Sequence, residues 1–316
     1  MAGPALITGA TGFVGSHIAE AFLKAGYETR CAVRDPGRPR WLSGLPVESV
    51  TLDLDRPANL PRALEGVDTV VHAAGITRAR RPEDYDRVNA LGTRRLAAAA
   101  RDGGVRRFVF ISSLAARGPD GYTHPTSSYG WSKRKAESLL RGTGHRMEVV
   151  VLRPAAVYGP RDTDLLPLFA LAKRGWLIVP SGPGLLQPAY APDVAGAALA
   201  AADGPDGGGM PLPVAGPTRY SWKQVIRALE QSVGREVRVL RLPAAAFELG
   251  GRAAELVAGL AGAAPVFDRR RSEDLAGHTW TCDASEAEEA LGWRAEVPLD
   301  EGLERTARWY ESRGWI

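Results

Sequence analysis

At 316 residues, with 45% apolar and 24% charged residues, the chain has the composition of a folded protein with one large or two smaller domains, and extensive disorder is excluded. The net charge of +4 comes from basic residues scattered without an aromatic-rich cluster, so no nucleic-acid partner is expected. Of 40 basic residues only Lys24, Lys133, Lys135, Lys173 and Lys223 are lysine, and the other 35 are arginine, which makes each lysine informative.

The apolar run Ala5-Leu6-Ile7 reads as a strand. Thr8-Gly9-Ala10-Thr11-Gly12-Phe13-Val14-Gly15 then reads as a glycine turn opening a helix over 13–25. Such a turn aims backbone N–H groups and the positive end of a helix dipole at a pyrophosphate. The glycines at 9, 12 and 15 depart from the G-x-G-x-x-G spacing of many dinucleotide sites.

Further strands fit 29–33, 47–52, 69–73, 107–112 and 148–152, alternating with helical patterns at 59–65, 85–101 and 129–141. That alternation predicts an α/β fold with a doubly wound parallel sheet and ligands at the carboxyl ends of its strands. Beyond Pro160 the rhythm changes to helical patterns at 222–232, 284–291 and 299–311. The expected division is a dinucleotide unit over 1–160, with 186–215 returning to it. A smaller, mainly helical substrate unit would take 161–185 and 216–316.

The weakly polar stretch 244–264 places Glu248, Arg252 and Glu255 on one helix face, so it is amphipathic and not a membrane span; a shallow membrane contact is the lesser alternative. Cys31 and Cys282 have neither metal-site nor disulfide spacing, and the N-terminus lacks a leader pattern. A cytoplasmic protein without metal is the expectation.

In Ser128-Tyr129-Gly130-Trp131-Ser132-Lys133 the i, i+4 spacing brings the Lys133 ammonium near the Tyr129 phenol. A cation there lowers the phenol pKa from its usual ~10, as an acid/base at neutral pH requires. A strand ending in Ile111-Ser112-Ser113 brings a hydroxyl to the same crevice.

Together these residues resemble the short-chain dehydrogenase/reductase superfamily, extended type, the NAD-dependent epimerase/dehydratase family. The resemblance extends through Asp53-Leu54, His72-Ala73-Ala74-Gly75, Asn89 with Gly92-Thr93, Leu152-Arg153-Pro154, Val157-Tyr158-Gly159-Pro160, Tyr190 with Asp193-Val194-Ala195, and Leu291-Gly292-Trp293. It implies a Rossmann sheet and a catalytic triad of Ser113, Tyr129 and Lys133, with Ser112 as the alternative serine. Tyr129 would exchange a proton with the carbonyl or alcohol oxygen, Ser113 would hydrogen-bond that oxygen, and Lys133 would hold the nicotinamide ribose.

The resemblance also implies a cofactor site. Gly9, Thr11, Gly12, Phe13, Val14 and Gly15 would hold the pyrophosphate, while Asp53 and Leu54 would face the adenine. Ala73, Ala74, Gly75, Asn89 and Ser112 would line the way to the ribose, and Pro154, Ala155 and Val157 would pack beside the nicotinamide.

Two departures matter. Val33 stands where family members that take NAD often carry an acid, and Arg34 follows; a guanidinium suits a 2′-phosphate, so NADP is favoured over NAD. The string Ala32-Val33-Arg34-Asp35-Pro36 resembles the dihydroflavonol-reductase-like and 3-beta-hydroxysteroid-dehydrogenase-like branch. Leu186 and Gln187 occupy the place where sugar-nucleotide enzymes commonly carry an Arg-Asp pair, although Arg161 or Arg174 could compensate. The leading expectation is therefore an oxidoreductase interconverting a ketone and a secondary alcohol on a largely apolar small molecule. A nucleotide-sugar epimerase or dehydratase is the alternative, and a non-catalytic dinucleotide sensor the third reading. A homodimer is a further expectation. An apolar cover is expected from Trp176-Leu177-Ile178-Val179 and the segment around Phe247 and Leu256.

Overall fold

The computed structural model describes residues 3–119, 124–141, 147–182, 184–204, 209–243, 245–246, 249 and 278–316. Its main sheet contains β1 (Ala5–Thr8), β2 (Thr29–Val33), β3 (Glu48–Thr51), β4 (Thr69–His72), β5 (Arg107–Ile111), β6 (Glu148–Pro154) and β11 (Leu212–Val214). They lie in the order β11-β6-β5-β4-β1-β2-β3, with every neighbouring pair parallel.

Successive strand residues point to opposite faces, and both faces are covered. Ile7, Val71, Val109, Val150 and Leu152 pack under α1 (Phe13–Lys24) and the alanine-rich α7 (Ala191–Asp203). Leu6, Val70, Phe108, Phe110 and Val151 pack under α2 (Leu60–Leu64), α4 (Thr93–Asp102) and α5 (Ser128–Leu140). Burial on both sides explains why the strands read as unbroken apolar runs. Phe108 and Phe110 are fully buried, and cutting either back to alanine would cost about 3–5 kcal/mol.

Chain order reverses between β1 and β4, which opens a crevice at their carboxyl ends. The loops after β1, β4 and β5 converge there, and they carry most of the expected site.

The helix expected over 85–101 is more complex. It is α3 (Pro82–Tyr85), a seven-residue π-helical stretch over Asp86–Gly92, and then α4. Residue periodicity alone does not distinguish these windings.

The second half contains α6 (Leu166–Lys173), α8 (Trp222–Val233), α9 (Ser285–Leu291) and α10 (Leu299–Ser312). The last three match expected helical patterns and α6 was not expected; beside them run three small strand pairs: β7 (Val157–Tyr158) with β10 (Ala189–Tyr190), β9 (Leu185–Leu186) with β12 (Tyr220–Ser221), and β8 (Trp176–Pro180) with β13 (Arg238–Leu242). A two-residue strand is too short to show a period of two.

These elements close around a third core that includes Phe169, Leu177, Val179, Leu229, Leu303 and Tyr310. The expected apolar cover is therefore divided. Alternation along β8 sends Leu177 and Val179 into this core and leaves Trp176 and Ile178 exposed on the other side. Phe247, Leu256 and most of 244–264 lie outside the described residues.

Candidate active site

The site starts at the turn after β1. Gly9 has φ +72°, and a Cβ there would stand 2.7 Å from Ala74 N and 2.8 Å from Ala73 O, so a larger residue would push the β1 and β4 loops apart. Gly12 N–H donates to Gly9 O at 2.8 Å and then serves as the N-cap of α1. That N-terminus has no capping side chain and no acid in its first turn. Its N–H groups suit an anionic pyrophosphate, so the donor set fits a dinucleotide.

A buried polar chain ties this turn to the next loop. Thr8 Oγ1 lies 2.7 Å from His72 Nδ1, and His72 Nε2 lies 2.9 Å from Thr93 Oγ1. The Thr93 hydroxyl donates to Asn89 O at 2.6 Å, so it accepts from His72 Nε2–H, and Thr8 in turn donates to Nδ1. Thr8 Oγ1 also accepts from Ala74 N–H at 3.2 Å. Burial, aided by the Lys133 charge, lowers the His72 pKa to about 3, which keeps the ring neutral.

On α5, Gly130 allows the helix to approach the turn after Ser113; a Cβ there would meet Ala115 O at 2.3 Å. Lys133, one turn after Tyr129, is buried and donates to Ile111 O at 2.8 Å, with its ammonium 4.8 Å from the Phe110 ring centre. Burial lowers its pKa to about 8, partly opposed by Glu137. A Cβ on Gly75 would stand 3.5 Å from the same ammonium and 3.0 Å from Asn89 Oδ1, which places the β4 loop against Lys133. Tyr129 is half-buried, and its ring meets Tyr85 edge-on at 6.2 Å.

The two serines differ. Ser112 is buried and donates to Glu137 Oε1 at 2.5 Å. Ser113 is half-buried, and its oxygen accepts from Ala115 N–H at 3.2 Å, which leaves its O–H able to donate to a ligand.

Asn89 is fully engaged. Its Oδ1 accepts from Ile76 N–H at 2.8 Å, and its Nδ2 donates to Ile76 O and Ser132 Oγ, both at 3.0 Å. It clamps the β4 loop onto the π-helical stretch and α5. Arg34 is exposed just after β2, while Asp53 stabilises its own turn by accepting from Asp55 N–H at 3.0 Å. Leu54 is partly buried against the second core. Pro154, Ala155 and Val157 lie where β6 passes into β7. Thr11, Phe13 and Val14 remain part-exposed along the turn, and Gly15 is buried behind it.

Sequence reasoning missed the polar cluster behind Lys133. Glu137 is buried and takes two bonds from Arg153, at 2.9 and 2.5 Å, as well as the Ser112 hydroxyl. A signal was available: Tyr129, Lys133 and Glu137 recur every four residues on one face of α5.

Arg161 is only partly committed, because its Nη1 is buried without a hydrogen-bond partner among the described residues. It pairs with Glu20 of α1 and stacks on Trp41 at 5.5 Å, while neighbouring Pro160 O accepts from His17 Nε2–H at 2.9 Å. Gln187 is buried, bonding Gly216 O at 2.9 Å and Cys282 N–H at 3.2 Å.

The family model for the NAD dependent epimerase/dehydratase family matches residues 5–213. The chain belongs to that family. It is an NAD(P)-dependent enzyme of the extended short-chain dehydrogenase/reductase type. It is 35% identical to the ceramide reductase of Caulobacter vibrioides, over 99% of this chain and 96% of that one. It is 30% identical to the UDP-glucose 4-epimerase of Vibrio cholerae, over 96% and 94% of the two chains. Among solved structures, MoeE5 in complex with UDP-glucuronic acid and NAD superposes with a TM-score of 0.76 at 26% identity, covering 98% of this chain and all of the other. No helix among the described residues is long and apolar enough to cross a membrane.

Proposed function

We propose that this family member is an NADPH-dependent ketoreductase that converts the ketone of a long-chain, ceramide-like lipid into a secondary alcohol. The observation that carries the reading is the convergence at the end of β5. There Ser113 retains an O–H to donate, and Lys133 is pinned to Ile111 O one helical turn after Tyr129. In this reading the substrate oxygen accepts hydrogen bonds from Ser113 and Tyr129, and Tyr129 gives it the proton. Lys133, pinned beside the β4 loop, would orient the ribose, and its ammonium would favour the phenolate left behind. A reduced nicotinamide supplies the hydride when bound.

The glycine turn would hold the pyrophosphate, and Asp53 with Leu54 the adenine. The loops at 73–75 and 154–157 would flank the ribose and nicotinamide, and Arg34 would pair with a 2′-phosphate. Residues 1–160 with 186–215 would form the cofactor unit, and the remainder the substrate unit. Both Cys31 and Cys282 are buried free thiols, in keeping with a cytoplasmic setting.

The substrate class rests on the end-to-end likeness to a ceramide reductase. One structural fact supports it over a nucleotide sugar: Gln187 is tied to backbone groups. The likeness to a UDP-glucose 4-epimerase favours the second reading, sugar-nucleotide epimerisation. The test is to supply an N-acylated long-chain amino ketone or UDP-glucose with NADPH or NADH, following nicotinamide absorbance and analysing products by mass spectrometry. The ketone should be reduced with NADPH consumption. An epimerised sugar without reduction of the ketone would replace this reading by the second.

A further inference from the structure

Along β8 the outward residues are Trp176 and Ile178, 48% and 43% exposed, while Leu177 and Val179 between them are buried in the third core. The parallel register pairs Trp176 with Arg238 and Ile178 with Leu240, which is 48% exposed. Three large apolar side chains thus share one outer face, and the Arg238 guanidinium lies 5.5 Å from the Trp176 ring centre. Arg238 is exposed on this face and Arg235 is exposed just before the strand, against one acid, Glu236, while Arg241, paired with the buried Val179, points to the other face.

We infer that this face docks onto the surface of an anionic lipid bilayer. A tryptophan with aliphatic neighbours suits the headgroup boundary, and the basic rim adds attraction to anionic lipid. Since no described helix crosses a membrane, the contact is peripheral. The inference deepens, and rests on, the lipid-substrate reading: a long-chain lipid resides in the bilayer, so its reductase must meet it there.

The test uses the full chain in flotation with phosphatidylglycerol-containing vesicles and with pure phosphatidylcholine vesicles. The wild type should bind the anionic vesicles, less tightly as salt rises. Binding should fall at least tenfold in the combined variant Trp176→Ser, Ile178→Ser, Leu240→Ser, and also in Arg235→Glu, Arg238→Glu. Both variants should reduce a short, water-soluble ketone within twofold of the wild-type rate, which verifies that they are folded. Wild type that stays with no vesicle, or an apolar variant that floats like wild type, overturns the proposal. So does a change of oligomeric state in the apolar variant, which would make the face an interface between copies. Reduction of a detergent-dispersed lipid ketone without vesicle binding removes the docking face and keeps the substrate reading. Vesicle binding lost in both variants, with no lipid ketone reduced, keeps the docking face and removes the substrate reading.

Discussion

Behind the end of β5, Ser112, Glu137 and Arg153 form a closed polar cluster, and Thr8, His72, Thr93 and Asn89 form a second one behind the glycine turn. The β8–β13 face is built differently: Trp176, Ile178 and Leu240 are open to solvent beside arginines. The first region holds a few atoms in one geometry, because a buried polar group left unbonded costs about 1–3 kcal/mol. The second leaves apolar surface uncovered, which suits a partner whose shape is not fixed. With the proposed chemistry in the first region and the proposed docking in the second, changes in the two regions should have separable effects.

The largest expected effect breaks the rigid region at its reacting group. Tyr129→Phe keeps the ring and removes the proton donor, so turnover should fall by about 10²–10⁴-fold while NADPH affinity stays near wild type. Steady-state kinetics with a cofactor titration check this; wild-type turnover would remove Tyr129 from its role.

Next in size is the ion pair behind Lys133. Glu137→Ala strands a mostly buried guanidinium on Arg153, and removing one partner of such a pair costs about 3–5 kcal/mol. Denaturant unfolding should register most of that loss. A change below about 1 kcal/mol would mean that the pair is solvated and does not support Lys133.

This pair also marks the limit of what the sequence could reveal. The sheet strands and the glycine turn were legible because strands buried on both faces alternate with helices, and glycines at 9, 12 and 15 follow the first strand directly. The placement of Tyr129 and Lys133 one turn apart on a helix was legible from spacing, whereas Ser113 was singled out over Ser112 by the resemblance. The Glu137–Arg153 pairing was not legible, because charged residues sixteen apart read as solvated surface until α5 is packed on β6. The π-helical stretch around Asn89 was hidden because residue periodicity does not distinguish helix windings, and the bonds from Asn89 to Ile76 form only across a loop. The pairing of β8 with β13 was hidden by the length of chain between them.

A smaller effect sharpens cofactor choice. Arg34→Ala should weaken NADPH binding by roughly tenfold, the low end of a charge-assisted bond at an exposed position, and leave NADH nearly unchanged. Titrating both cofactors against both proteins decides it; an unchanged ratio of affinities excludes Arg34 as the selector.

The smallest effect concerns acid stability. His72 has a folded pKa of about 3 against 6.5 for the free side chain, so the unfolded chain binds the extra proton first. Its contribution is complete above about pH 6.5 and is lost as the pH falls toward 3. Wild type should therefore lose stability between pH 7 and 5 more steeply than His72→Gln. Parallel losses in the two proteins would show that the buried ring is not the group titrating.

The most direct test of net ketone reduction is a single-turnover reaction with NADPH carrying deuterium at the transferred position and a long-chain amino ketone as substrate. The account predicts one deuterium on the new alcohol carbon for each NADPH oxidised, with transfer slowed about 10²-fold or more in Tyr129→Phe. Label that stays on the cofactor while a UDP-sugar is epimerised would contradict it.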